Sequence, residues 1–228
     1  MKISRVAFRK QLAENLCETP IQNLEDLLKE YNQKELINPL FSYICSNNIL
    51  LRWRAVSAFG IVVPGIADED MERARMIMRR FLWSLNDESG GIGWGAPESM
   101  AEIMCNHNQL REEYLHMLIS YMREDGEELF ADGNFLELPF LQQGLLWAIA
   151  RVSQFFPEEM IKRGVIDDLQ KYLASEDCQI VALASRCLNI LQISSGDVIN
   201  DKCREEEGEI VIYNEGLLDN VAISDLIH

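Results

Sequence analysis

Glu98 and Glu102 stand four residues apart in Gly95-Ala96-Pro97-Glu98-Ser99-Met100-Ala101-Glu102, a spacing that puts both carboxylates on one helix face. Such a pair could supply an acid and a base. Just ahead runs Gly90-Gly91-Ile92-Gly93-Trp94-Gly95, four glycines and a tryptophan within six residues. Successive backbone N–H groups before a helix start can hold an anion. The run is not a dinucleotide fingerprint, because it follows a helix and its spacing is wrong. It is not a Walker loop either, since no Gly-Lys-Ser/Thr follows. Asp87 and Glu88 also place negative charge beside the would-be cradle. The competing reading is architectural. Here the glycines supply positive φ after a helix ending near Leu85, Trp94 anchors the re-entry, and Pro97 starts the next helix. That reading predicts a buried Trp94 and at least one of Gly90, Gly91 and Gly93 at positive φ.

Other chemistry is sparse. Cys105, His107 and His116 match no zinc spacing, so a loop histidine and a helix-surface histidine are the simpler reading. Six cysteines without a CxxC pair read as reduced core thiols of a cytoplasmic protein. No nucleophile–base set, metal cluster or cofactor motif is visible, so no catalytic residue, metal or cofactor is assigned. The net charge of -16 argues against nucleic acid and anionic membranes as partners, both of which select clustered Lys and Arg. No apolar run is expected to reach the roughly 20 residues of a membrane span. The N-terminal stretch has no apolar signal core.

The elements that must position these residues are helical. Apolar residues before Ser194 recur with helical spacing, and none alternates like a strand. The expected helices pair up: 4–17 with 20–31, 34–46 with 49–63, 69–85 with 94–106, 109–123 with 138–155, and 157–174 with 177–192. Thr19-Pro20-Ile21-Gln22 has the look of a capped helix start. In the second helix of four consecutive pairs, small residues recur at offsets +3 and +5. The sets are Ala55, Ala58 and Gly60; Ala96, Ser99 and Ala101; Leu145, Ala148 and Ala150; and Ala182, Ser185 and Cys187. Small side chains let neighbouring helices approach, so the pattern predicts an all-α fold, an α-solenoid of about five helical pairs.

At these residues, and in Arg54-Ala55-Val56-Ser57-Ala58-Phe59-Gly60, the chain resembles HEAT repeats, particularly the short HEAT-like type of the phycobiliprotein (PBS) lyase superfamily. The SGGIGW-x-APE segment is similar to one in uncharacterised bacterial HEAT-like proteins. The resemblance covers about residues 34–192 and implies a fold, not a reaction. The His-Glu dipeptides of di-iron HEAT-repeat hydroxylases are absent, and the charge does not suit HEAT-like DNA glycosylases.

Two parts are therefore expected: a helical repeat domain over 1–194 and an acidic tail over 195–228. From Asp197 onward there are nine acidic and two basic residues, which sets the tail apart. Glu209-Ile210-Val211-Ile212-Tyr213 has strand propensity, Asn214-Glu215-Gly216 a turn, and Val221-Ala222-Ile223 a return strand. The tail is either a β-hairpin docked on the last repeat or flexible.

Trp53 and Trp94 each lie two residues before a repeat's first small position, flanked by Arg52 and Arg54 in one case and by Gly93 and Gly95 in the other. Glu102 and Arg151 share a repeat position, which predicts an ion pair between repeats. The candidate binding ridge is thus Arg52, Trp53, Arg54, Gly91, Gly93, Trp94, Glu98, Glu102 and Arg151. The reading is a non-enzymatic scaffold binding a protein partner along the second helices. The alternative is a lyase or isomerase acting on a hydrophobic conjugated ligand in a pocket beside Trp94.

Overall fold

Polar side chains cap several of the helix starts in the computed structural model, which describes residues 4–86, 93–124, 134–195, 199 and 201–227. Ser4 accepts the Ala7 N–H at the head of α1 (Arg5–Glu18). Asn32, Asn48 and Asp70 do the same for α3 (Gln33–Tyr43), α4 (Ile49–Glu69) and α5 (Met71–Leu85). These bonds satisfy backbone donors that a helix start otherwise leaves unpaired. Between them, a 3-10 turn at Ile21–Asn23 leads into α2 (Leu24–Lys29). Thr19 therefore closes α1, its N–H bonded to the Asn15 carbonyl, rather than opening a helix at Pro20.

Five helical pairs follow one another. After α1 with α2, and α3 with α4, come α5 with α6 (Ala96–Asn106), then α7 (Asn108–Ser120) with α8 (Pro139–Phe155). The fifth pair has a broken first member: α9 (Pro157–Lys162) and α10 (Val165–Tyr172) precede α11 (Cys178–Ile190). Gly164, at φ 79°, turns the chain where sequence periodicity predicted one continuous helix. The second helices pack side by side in the order α4, α6, α8, α11, while α3, α5, α7 and α10 back them. The small-residue triplets line this row, and all of them are buried. At Gly60 a Cβ would fall 2.8 Å from the Cβ of Glu102, so only glycine lets α4 and α6 come this close.

Two expectations need correction here. The 21-residue α4 is long and apolar enough to cross a membrane, so the statement that no segment reaches that length fails. It carries Arg52 and Arg54 and packs against α3, α5 and α6 as a core helix does. The cysteines are not all reduced: Cys178 at the start of α11 is disulfide-bonded to Cys203 in α12 (Asp201–Arg204). A separation of 25 residues gives no motif in the sequence, and folding alone brings the two together.

The tail forms an antiparallel hairpin, β1 (Glu209–Asn214) with β2 (Leu217–Ala222), followed by α13 (Ile223–Ile227). Glu215 and Gly216 both take positive φ, 45° and 91°, the signature of a two-residue hairpin turn. The return strand is longer than expected, and Ile223 belongs to α13. α13 sits on the last repeat, against α11. The hairpin runs back over the row of second helices. Its Tyr213 stacks on Trp53, centroids 4.8 Å apart at 10°. Its turn packs on Ile21 of the first pair.

Candidate functional site

Three glycines create the site. Gly95, at φ 69°, is the left-handed cap of α6, and a Cβ there would lie 2.8 Å from Ile44 Cβ. Gly93 lies against Leu85, where a Cβ would meet Cδ2 at 2.7 Å. The architectural reading placed positive φ elsewhere. Gly95 takes it, Gly90 and Gly91 lie outside the described residues, and Gly93 follows directly on that segment. Between these two glycines Trp94 is half-buried rather than fully buried, meeting Phe140 edge-on at 5.8 Å. The third glycine is Gly144 in α8. A Cβ there would fall 2.7 Å from Glu98 Oε1 and 3.0 Å from Oε2, so the Glu98 carboxylate fills the space that the missing side chain leaves.

Trp94, Gly95, Glu98, Phe140 and Gly144 border a cavity of about 390 Å3. Its walls are Ile49, Arg52 and Trp53 from α4; Trp94, Pro97 and Glu98 at the head of α6; Phe140, Gly144 and Trp147 from α8; Gln179 and Leu183 from α11; and Glu209, Ile210 and Val211 from β1. Gln143 and Gln179, both in the lining, bond to each other at 3.0 Å.

Glu98 Oε2 is shut off from solvent and has no hydrogen-bond partner, although the residue as a whole is half-buried. Burial pushes the carboxyl up to about 6, against a partial counter-effect of the Arg52 charge. Among the described residues no ion pair joins Glu98 to Arg52. Trp94 Nε1 is likewise buried without an acceptor. One acceptor and one donor thus stand unpaired on residues lining the same cavity, an uncommon state for buried polar atoms.

The rest of the expected ridge divides. Glu102 and Arg151 form a 2.8 Å ion pair, both largely buried, and so hold α6 to α8. Arg54 is 8% exposed with Nε and Nη1 unpartnered, yet it does not line the cavity. Trp53 is sealed by the chain's own hairpin, so the ridge is not an open groove there. Tyr213 donates to or accepts from Ser57 Oγ at 2.7 Å, and the Trp147 indole N–H donates to the Tyr213 carbonyl at 2.9 Å. Gly91 is outside the described residues. His107 caps α7, accepting the Leu110 N–H through Nδ1, and His116 is exposed. Among the described residues no group of three or more His, Cys, Asp and Glu is placed to hold a metal ion.

Sequence reasoning missed Phe140, Gly144, Trp147 and the β1 residues. Gly144 left a signal, since a glycine inside a helix marks a close approach. The β1 contribution left none.

No protein-family model matches the chain. An uncharacterised protein of Archaeoglobus fulgidus is 26% identical over 189 residues, covering 82% of this chain and 91% of that protein. Among solved structures, a designed armadillo repeat protein in complex with the peptide (KR)4 is similar at 15% identity and TM-score 0.48, covering 88% of this chain and 78% of its own. Computationally designed armadillo repeat proteins for modular peptide recognition give 15% and 0.43, covering 88% and 79%. An engineered protein gives 14% and 0.47, covering 80% and 71%. With every TM-score below 0.5, none of the three bears on what this chain binds.

Proposed function

We propose that the chain is a binding scaffold that holds a segment of a protein partner over the mouth of the cavity between α4, α6, α8 and β1. The observation that carries this is the rim. Ile49, Phe140 and Val211, from three different elements, are 39%, 40% and 42% exposed and border the same recess. Single exposed apolar residues are ordinary, but a cluster around a cavity marks a surface meant to be covered. Rigid helices on three sides keep the recess formed, which lowers the ordering cost of binding. The ridge expected from sequence is narrowed accordingly, to Arg52, Trp94 and Glu98 beside the hairpin. The partner is a protein rather than nucleic acid, in keeping with the net charge of -16. The Cys178–Cys203 bond weighs against the cytoplasmic location expected from six reduced cysteines.

Selection of a random displayed-peptide library on the full chain tests this reading. Enriched peptides should move the Trp94 indole resonance and lose binding to Phe140→Ala. Peptides that map elsewhere, or no enrichment at all, would discard it.

One observation favours the second reading. A carboxyl held near 6 beside an indole is poised to give and take a proton near neutral pH, as a lyase or isomerase acting on a hydrophobic conjugated ligand would require. A coloured small molecule co-purifying from the native organism, lost from Glu98→Gln and Trp94→Ala variants, would replace the scaffold reading.

A further inference from the structure

We infer that the cavity takes a cationic side chain, lysine or arginine, of the bound segment, with Glu98 as its anionic partner and the aromatic walls along its stem. This rests on the scaffold reading and specifies the chemistry of its central contact.

The carboxylate has a built seat, because Gly144 alone among side chains leaves room for it. Its Oε2 has no donor from the protein, and a buried acceptor without a donor is costly. An apolar side chain in the recess would deepen that cost, and an acidic one would add repulsion. A cation removes it. Trp94 and Phe140 stand edge-on to each other beside Glu98, and Trp147 closes the α8 wall. Indole and phenyl faces attract a cation as well as its methylene stem. Glu209 on β1 adds a second negative charge to the lining, against Arg52 on α4 as the one positive charge among the described lining residues. Trp94 Nε1 remains as a donor for a backbone carbonyl of the same segment. The volume, at the small end of the roughly 300–1,000 Å3 usual for ligand sites, suits one long side chain.

Four capped pentapeptides of sequence Ala-Leu-X-Leu-Ala, with X as lysine, arginine, norleucine or glutamate, test the inference by titration followed at the Trp94 indole resonance. The lysine or arginine peptide should bind at least about tenfold more tightly than norleucine, the loss expected for a charge-assisted hydrogen bond, and the glutamate peptide more weakly still. Glu98→Gln should erase that preference, weakening the lysine and arginine peptides and, with the unpaired carboxylate gone, binding norleucine at least as well as the wild type does. In the wild type, lowering the pH through about 6 should weaken the cationic peptides as Glu98 takes a proton, with Arg52 and Glu209 the other charged groups facing it. Equal or tighter norleucine binding overturns the inference without recourse to a variant. So does a preference that survives Glu98→Gln. If library peptides seat at Trp94 without favouring lysine or arginine, the scaffold stands and the cation site falls. If no peptide reaches Trp94, both fall.

Discussion

Glu98 sits in surroundings unlike those of an ordinary surface carboxylate. Burial at the cavity floor favours its neutral form, so the folded carboxyl titrates near 6 against an ordinary 4.5. Below 4.5 the folded and unfolded chains are both protonated, and the site carries no penalty. Between 4.5 and 6 the unfolded chain loses the proton while the folded chain keeps it, so wild-type stability falls across that window and levels above it. Glu98→Gln does not titrate. It should gain about 1–2 kcal/mol on the wild type between pH 4.5 and 7, from a shift of this size in a half-buried residue. Urea midpoints of the two proteins across that range are the measurement, and parallel curves would contradict the buried-carboxylate account. Trp94 gives a second residue-scale test. A fully buried tryptophan loses about 3–5 kcal/mol on truncation, but Trp94 is half-buried at a cavity wall. Trp94→Ala should therefore cost about 2 kcal/mol in chemical denaturation, with a larger loss in peptide affinity. A loss of 4 kcal/mol or more would make it plain core. Glu98 was visible in the sequence as half of a carboxylate pair. The pair itself dissolves in the structure, because Glu102 is committed to Arg151 while Glu98 is left without a partner.

Among the elements, the helices were legible and the hairpin's position was not. Helix periodicity is local, so Leu12 and Leu16, or Ile77, Phe81 and Leu85, announce their own buried face. The small-residue triplets were legible for the same reason, being fixed offsets within one helix. The hairpin strands were readable from β-branched residues, but Tyr213 meets Ser57 across 156 residues and Trp147 across 66. No local pattern encodes such pairings. This element is also the most revealing to perturb. Gly216 sits at φ 91°, and a Cβ there would press on Ile21, 2.5 Å from its Cβ. Gly216→Ala should cost about 1–3 kcal/mol through backbone strain, before any clash is relieved. Tyr213→Ala should cost about 3–5 kcal/mol, since its ring is buried on Trp53. In both variants hydrogen exchange should quicken over 209–222 and leave α6 and α8 protected. Uniform loss of protection across the helices would show instead that the hairpin and the helical row unfold as one unit.

At the scale of the whole molecule, the disulfide decides how firmly the tail belongs to the rest. Cys203 in α12 is bonded to Cys178 at the head of α11, and β1 begins only a few residues later, so the hairpin's lead-in is pinned to the fifth pair. Sequence reading treated all six cysteines alike because their spacing holds no motif, whereas their environments are distinct. Burial pushes the thiols of Cys105 and Cys187 up to about 12, which keeps them protonated and inert; partial burial raises that of Cys45 as well, but Cys45 is exposed to reagent. Thiol titration of the unreduced protein should therefore find Cys45 reactive in the native state and four thiols after denaturation, rising to six on reduction. Closing a loop of 25 residues constrains the unfolded chain by about 3–4 kcal/mol. Cys203→Ser should lose stability of that order, and Cys45→Ser, at a free and exposed position, almost none. Reductant should lower the wild-type melting temperature and leave that of Cys203→Ser in place. Six reactive thiols in the unreduced, denatured chain would refute the bond. The tail would then be held by noncovalent contacts, those of Tyr213, the hairpin turn and α13 among them, and hairpin exchange in the wild type should be as fast as in Cys203→Ser.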